Sequence, residues 1–186
     1  MINIISTPRL NIRRWVTSDI EPFIKMNTDD EVMKYFPAKL SADESIAWVE
    51  RNNFNVAKNQ FGLLAVELKH TKEFIGFTGF AVPTFESFFT PCIEIGWRFK
   101  KECWGQGLAT EAARACLGYG FNTLQFDKIV SFTSVLNERS ESVMKRIGLD
   151  FVDYFDHPKI DKNNRLCRHV LYQVTKDRFY NLGEKR

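Results

Sequence analysis

PCIEIGWRFKKECWGQGLATEAARACLGYGF, residues 91–121, decides how this chain folds. It reads in three parts. Residues 92–99 are rich in β-branched and aromatic side chains and predict a strand. Residues 100–107 form a polar turn with two glycines, Gly105 and Gly107. From Leu108 to Phe121, Ala109, Ala112, Ala113, Ala115, Cys116 and Tyr119 recur at helical spacing. A strand that passes through glycines into the first turn of a helix is suited to hold an anion. The first N–H groups of a helix have no helical partner, and the helix dipole favours negative charge there. Glycine lets the backbone approach a phosphate closely. A phosphate or pyrophosphate is therefore expected near Gly105–Thr110.

The loop is not a P-loop, because Gly107 is followed by Leu108 and Ala109 and not by Lys and Ser or Thr. It is a poor dinucleotide fingerprint, since the third glycine position holds Thr110 and Val130 and Ser131 stand where an acidic residue is needed. Trp104-Gly105-Gln106-Gly107-Leu108-Ala109 does resemble the acetyl-CoA loop of the GNAT acetyltransferases. Trp104 departs from the usual Arg or Gln. The form W-G-x-G-x-A-T-E-A nevertheless resembles the branch that acetylates ribosomal-protein N-termini. Glu94-Ile95-Gly96-Trp97 before the loop and the run from Asn137 to Leu149 after it carry the same resemblance. It extends from Thr7-Pro8-Arg9-Leu10 to His169-Val170-Leu171-Tyr172.

Composition sets bounds. The 186 residues suffice for one domain over 1–186, its core over 8–176. The 17 phenylalanines and 44% hydrophobic residues exclude a disordered chain. A net charge of +3 does not by itself call for nucleic acid. Arg98, Lys100 and Lys101 before the loop, and Arg139, Lys145 and Arg146 later, form local basic clusters. These suit a phosphate ligand or a solvated surface. The four cysteines lack C-x-x-C spacing and read as reduced thiols of a cytoplasmic protein. Neither a signal peptide nor a membrane-spanning run is read, and no membrane partner is expected.

Along the chain, residues 10–15 alternate as a strand, and helices are expected over 20–26 and 30–35. Ser41-Ala42-Asp43-Glu44 is a capping box. It opens a helix to about Lys58 that turns Ile46, Val49, Asn53 and Val56 inward. Strands over 61–68 and 74–82 are joined as a hairpin by residues 70–73. Phe85, Phe88 and Phe89 lie in the loop 83–91, where they seal the core edge or line an acceptor or partner surface. A strand is expected over 128–135, a helix over 138–147 with Gly148 as C-cap, and strands over 151–155 and 168–174. The class is α+β. The resemblance implies the GNAT fold, a mixed central sheet of about seven strands flanked by about four helices.

The chemistry implied by the resemblance is transfer of acetyl from acetyl-CoA to an amine. The attacking amine must be neutral, the carbonyl oxygen needs a donor as it becomes an oxyanion, and the leaving thiolate is helped by a proton. Gly96 within a strand suggests a bulge or a close approach by another backbone. In GNAT proteins strands splay there, and by that analogy the main chains of Trp97, Arg98 and Phe99 pair with pantetheine. By the same resemblance Gly105, Gln106, Gly107, Leu108, Ala109 and Thr110 are expected to hold the phosphates. Glu94, flanked by Ile93 and Ile95, is either a desolvated general base or an ion-pair partner of Arg13, Arg14 or Arg98. Asn137 caps the following helix and, in the resemblance, also binds the pantetheine arm. The tyrosine that many GNAT enzymes use as acid is replaced by Met144, which has no proton to give. The N-terminal acetyltransferase branch instead has a serine at the position of Ser140, near the sulfur, and by that resemblance Ser140 orients or protonates the thiolate.

His70, His157 and His169 lack metal-ligand spacing, and neither a metal nor a nucleophilic cysteine is expected. The expected acceptor is a protein or peptide N-terminal α-amine. Its pKa near 8, against about 10.4 for lysine, lets a modest base deprotonate it. A small amine (amino acid, polyamine or aminoglycoside) is the alternative, with Asp29, Asp30 and Glu31 as an attraction for a cation or simply a helix start. A non-catalytic acyl-CoA-binding module is the rival of another class. The sequence leaves the choice between a monomer and a homodimer open, the aromatic loop being compatible with a dimer.

Overall fold

The computed structural model describes residues 3–183. Residues 1–2 and 184–186, part of the single-domain reading, lie outside them. Among the described residues eight strands form one sheet in the order β1-β2-β3-β4-β5-β6-β8-β7. The strands are β1 (Asn3–Ser6), β2 (Leu10–Arg13), β3 (Leu63–Leu68), β4 (Phe74–Ala81), β5 (Glu94–Phe99), β6 (Lys128–Ser134), β7 (Asp150–Asp156) and β8 (Arg168–Thr175). The helices are α1 (Ile20–Thr28), α2 (Asp30–Met33), α3 (Ala42–Asn59), α4 (Leu108–Asn122), α5 (Glu138–Ile147) and α6 (Lys176–Gly183). This is the α+β, GNAT-type architecture that the sequence implies, with eight strands and six helices where about seven and four were expected. The elements not read individually from the sequence are the terminal β1 and α6. β1 is too short to show alternation, and α6 follows β8 without a break in the chain. Phe179 docks α6 on Phe121 of α4, ring centroids 5.1 Å apart.

The two faces of the sheet are covered differently. α4 and α5 bury Leu108, Ala112, Ala113, Cys116, Leu117, Val143 and Met144 against Leu64, Val66, Ile95, Phe99 and Ile129. On the opposite face, Phe23 and Met26 of α1 and Val49 of α3 close over Trp15, Ala65, Phe74 and Phe77. The α3 capping box forms as the sequence predicts, with Ser41 Oγ accepting from Glu44 N and Glu44 Oε2 from Ser41 N. Its inward stripe is corrected. Ser45, Val49, Asn52 and Val56 are the buried residues, and Ile46 and Asn53 are half-buried. Polar side chains take inward places here because each has a partner. Ser45 Oγ accepts from Asn27 Nδ2 at 2.9 Å, and Asn52 Oδ1 accepts from Leu63 N at 3.3 Å.

All neighbouring strands are antiparallel except β5 and β6, which run parallel. The bulge expected at Gly96 is absent, and the β4–β5 ladder runs unbroken from Gly76↔Phe99 to Ala81↔Glu94. The irregularity lies on the other side of the strand. β5 and β6 share one ladder pair, Glu94↔Val130. Two flanking bonds join them there, Val130 N to Ile93 O and Ser131 Oγ to Ile95 O, both 2.9 Å. Beyond that point the strands part. Glycine matters instead at Gly79, opposite Gly96. Its φ is +142°, and a Cβ there would lie 2.1 Å from the Gly62 carbonyl oxygen. Only a residue without a side chain lets the turn before β3 come that close.

Candidate active site

The site begins at the first turn of α4. Gly105 and Gly107 have φ of +76° and +75°, the left-handed backbone that glycine adopts without strain. Gly107 is the N-cap, and no side chain caps the helix. The first intrahelical bond of the helix is Glu111 N to Gly107 O at 3.0 Å, so the N–H groups of Leu108, Ala109 and Thr110 have no helical acceptor. No atom lies within 4 Å of where a Cβ on Gly105 would be. The loop is thus open above a row of unpaired donors, as an anion requires.

A contact not foreseen from the sequence holds this loop in place. Arg9, in the turn between β1 and β2, donates from Nε to Glu111 Oε2 at 2.6 Å and from Nη1 to Gln106 O at 3.0 Å. Thr7 Oγ1 donates to Glu111 Oε1 at 2.6 Å. Burial alone would raise the Glu111 carboxyl, but the hydrogen bonds from Thr7 and Arg9 hold it below the usual carboxylate range. Thr7 and Arg9 are about 100 residues from the loop, and only their place at the start of the family resemblance marks them. The Gln106 side chain turns away and donates to Glu102 O at 2.8 Å.

From the loop a cleft of about 1450 Å³ runs along β5. It brings together Trp97, Arg98, Phe99, Gly105, Gly107, Leu108, Ala109, Thr110, Asn137 and Ser140. Gln106 and Glu94 do not line it. Its rim is basic. Arg139 stacks on Trp104, 4.5 Å from the ring centroid, and Arg114 donates to Arg146 O at 2.6 Å. Because Ile93 and Ile95 bond to β6, Trp97 and Phe99 are the residues that turn their peptide groups toward the gap beside it. Phe99 O accepts from Trp104 Nε1 at 3.0 Å. Arg98 turns its peptide toward β4 and meets the cleft with its side chain.

Across the cleft, Asn137 caps α5 through Oδ1, which accepts from Ser140 N at 3.3 Å. Its Nδ2 donates to Ser140 Oγ at 3.1 Å and to Thr133 Oγ1 at 3.2 Å. Ser140 Oγ therefore accepts locally and keeps its own proton to donate. Met144 is 1% exposed and is a core side chain.

Glu94 occupies the face of β5 turned to α1 and α3, with its Oε1 3.9 Å from where a Cβ on Gly96 would be. The arginines considered as its partners form no ion pair with it among the described residues. Arg13 is bound by Asp19 and Glu67, and Arg98 by Asn27. Among the described residues the Glu94 carboxyl has neither a hydrogen bond nor an ion pair. Burial pushes its pKa up to about 8. The Cys92 thiol beside it is pushed up to about 11 by burial and by Glu94, and burial pushes Cys116 up to about 12. A thiol with so high a pKa is mostly protonated at neutral pH and a poor nucleophile.

The aromatic loop divides. Phe85 and Phe89 pack on Phe132 and Phe155 and cover one face of β6, β8 and β7, while Phe88 is 65% exposed. His157 and His169 join this cluster, and burial pushes His169 down to about 4. His169 is a buried residue inside β8. The acidic group Asp29–Glu31 is a helix start, since Asp29 Oδ1 accepts from the N–H groups of Glu31 and Val32.

Residues 9–150 match the family model described as an acetyltransferase (GNAT) domain. The chain is 30% identical over 174 residues to the Bacillus subtilis protein named uncharacterized N-acetyltransferase YnaD, covering 93% of this chain and 97% of that one. Its fold superimposes on that of a GNAT-family acetyltransferase from Bacillus anthracis with a TM-score of 0.78 at 27% identity, over 93% of this chain and 98% of the other. A spermidine N-acetyltransferase from Vibrio cholerae, solved with CoA and spermine, shares the fold at 19% identity and a TM-score of 0.74, over 94% and 100% of the two chains.

Proposed function

This chain belongs to the GNAT acetyltransferase family, whose acetyl donor is acetyl-CoA, and we propose that it acetylates a primary amine, foremost the α-amine of a peptide or protein N-terminus. The observation that carries this reading is the parting of β5 and β6 beside the open first turn of α4. A cosubstrate with pyrophosphate at one end and a thioester at the other fits that arrangement. The amides from Gly105 to Thr110 take the pyrophosphate, and the peptide groups of Trp97 and Phe99 pair with the pantetheine arm. Asn137 and Ser140 flank the sulfur.

In the reaction the amine nitrogen attacks the thioester carbon, and the C–S bond breaks as the oxyanion collapses. Glu94, which does not line the cleft, takes the amine's surplus proton through intervening water. Its pKa of about 8 matches an α-amine near 8 better than lysine's about 10.4. Ser140 donates a hydrogen bond to the departing thiolate. A serine hydroxyl is too weak an acid to do more. A free amino acid or another small amine is the second acceptor class, and the cleft's Arg98 bears on it below. A cytoplasmic site of action fits the four free cysteines.

The test is thiol release from acetyl-CoA with peptides bearing free N-termini, amino acids, polyamines and aminoglycosides, beside a calorimetric titration with CoA. Release with peptides supports the α-amine reading. Release with one small-molecule class alone replaces it. Absence of CoA binding would overturn the reading of Gly105–Thr110. Ser140→Ala is expected to lower kcat about tenfold, the worth of one hydrogen bond to a charged group. Helix α5 should keep its stability, because Asn137 caps it through the Ser140 backbone. An unchanged kcat would make Ser140 structural.

A further inference from the structure

We infer that Arg98 is a specificity residue that binds a carboxylate on the acceptor, so that the preferred amine is an amino acid or a peptide with an acidic side chain near its N-terminus. The inference rests on the amine-acceptor reading above. Arg98 sits on the same face of β5 as Glu94, four residues away, roughly 13 Å along the strand. It lines the cleft beyond the point where β5 and β6 part.

Its guanidinium lacks a counter-charge. Nη1 donates to the amide oxygen of Asn27 at 2.6 Å. Nε is buried with no partner, the one buried side-chain nitrogen or oxygen among the described residues in that condition. Nη2 makes no hydrogen bond either. The planar group lies over the Phe36 ring, 3.9 Å from its centroid, with the Phe77 ring at 5.3 Å. The aromatic faces hold the guanidinium in one plane and leave its Nε–Nη2 edge unmatched. With Nε closed to solvent and Nη1 held by Asn27, Nη2 is the group left to donate to a carboxylate from the cleft.

The electrostatics agree. Burial lowers the Arg98 pKa to about 10, with no neighbouring charge acting to raise it. Among the described residues no carboxylate lies in ion-pair contact with it. Glu31 and Lys34, which also line the cleft, are both exposed. A desolvated cation with idle donors is costly unless a ligand satisfies it. The cost is tolerable here because Arg98 stands where an acceptor would enter. A polyamine would bring a second cation to this place and is disfavoured.

The test measures binding of the acetylated product, so it does not depend on turnover. N-acetylalanine and N-acetylglutamate, each beside its amide, are titrated into the protein with and without CoA. Acetylated tetrapeptides with Asp or Asn at the second position form the peptide arm. The expected result is about tenfold or greater preference for the acid, the worth of one charged hydrogen bond or more. The arm that shows it names the source. Arg98→Gln should bring acid and amide to equal affinity. Arg98→Lys, which keeps the charge and loses the guanidinium, should recover only part of the preference. Melting curves report whether each variant folds, and the wild-type comparison stands if neither does. Equal affinity of acid and amide in the wild type, no binding of any pair, or a preference that survives in Arg98→Gln would each overturn the inference. Failure of the amine-acetylation reading would appear separately, as absent thiol release with every amine.

Discussion

Glu94→Gln is expected to lower kcat by about 10²- to 10⁴-fold, the usual worth of a positioned general base. Glutamine keeps the shape of the side chain and loses the proton acceptor. The wild-type rate should rise with pH through about 8 as the Glu94 carboxyl ionises, and the variant should lack that limb. Stability carries the opposite sign. The folded protein keeps the Glu94 proton up to about pH 8, whereas an unperturbed glutamate releases it near 4.5. Between those values the folded state binds more protons than the unfolded state, so this residue's contribution is full below about 4.5 and is lost as pH rises through 8. Melting curves of Glu94→Gln should therefore gain on the wild type in alkaline buffer. A variant with wild-type turnover across pH would remove Glu94 from the proton path.

Asp19→Ala should cost about 3–5 kcal/mol of folding stability, because it strips a buried cation of its main partner. Arg13 and Asp19 are each 2% exposed and Glu67 is 5% exposed. Arg13 grips Asp19 through Nη1 at 2.6 Å and Nη2 at 2.9 Å, and Glu67 through Nε at 2.9 Å. The hydrogen bond to Asp19 is the chief reason its pKa is raised against the effect of burial. Asp19 Oδ2 also accepts from Val16 N at 3.0 Å, so the substitution loosens the entry to α1 as well. Urea denaturation should show a lower midpoint with an unchanged slope. Asp19→Asn, which keeps the shape and the Val16 bond, should lose less. A loss below about 1 kcal/mol in Asp19→Ala would put the network in the class of surface pairs.

The contrast between local and distant information explains what the sequence discloses. The Gly105–Thr110 loop, the α3 capping box and the Gly148 cap are all written within a few adjacent residues, and each is found where its motif stands. The α3 stripe was misplaced by one residue at two positions, because periodicity counts apolar residues and cannot foresee that Ser45 and Asn52 have buried partners. Arg13 offered itself as a partner for Glu94 only until Asp19 and Glu67 were seen around it. Arg9 could not be tied to Gln106 and Glu111 without the fold, since nothing local distinguishes it from a surface arginine. Gly96 drew attention to the right strand for a reason that proved wrong. The irregularity is an early end to the ladder with β6 and not an extra residue in the ladder with β4.

That single rung between Glu94 and Val130 makes the sheet two plates, β1–β5 and β6–β8, held edge to edge at one corner and bridged underneath by α4 and α5. A thioester ligand whose amide groups bond to Trp97 and Phe99 would act as a short ninth strand between the plates. The energy that binds it would then also close the sheet, so that ligand affinity and the rigidity of the whole domain become one quantity measured in two ways.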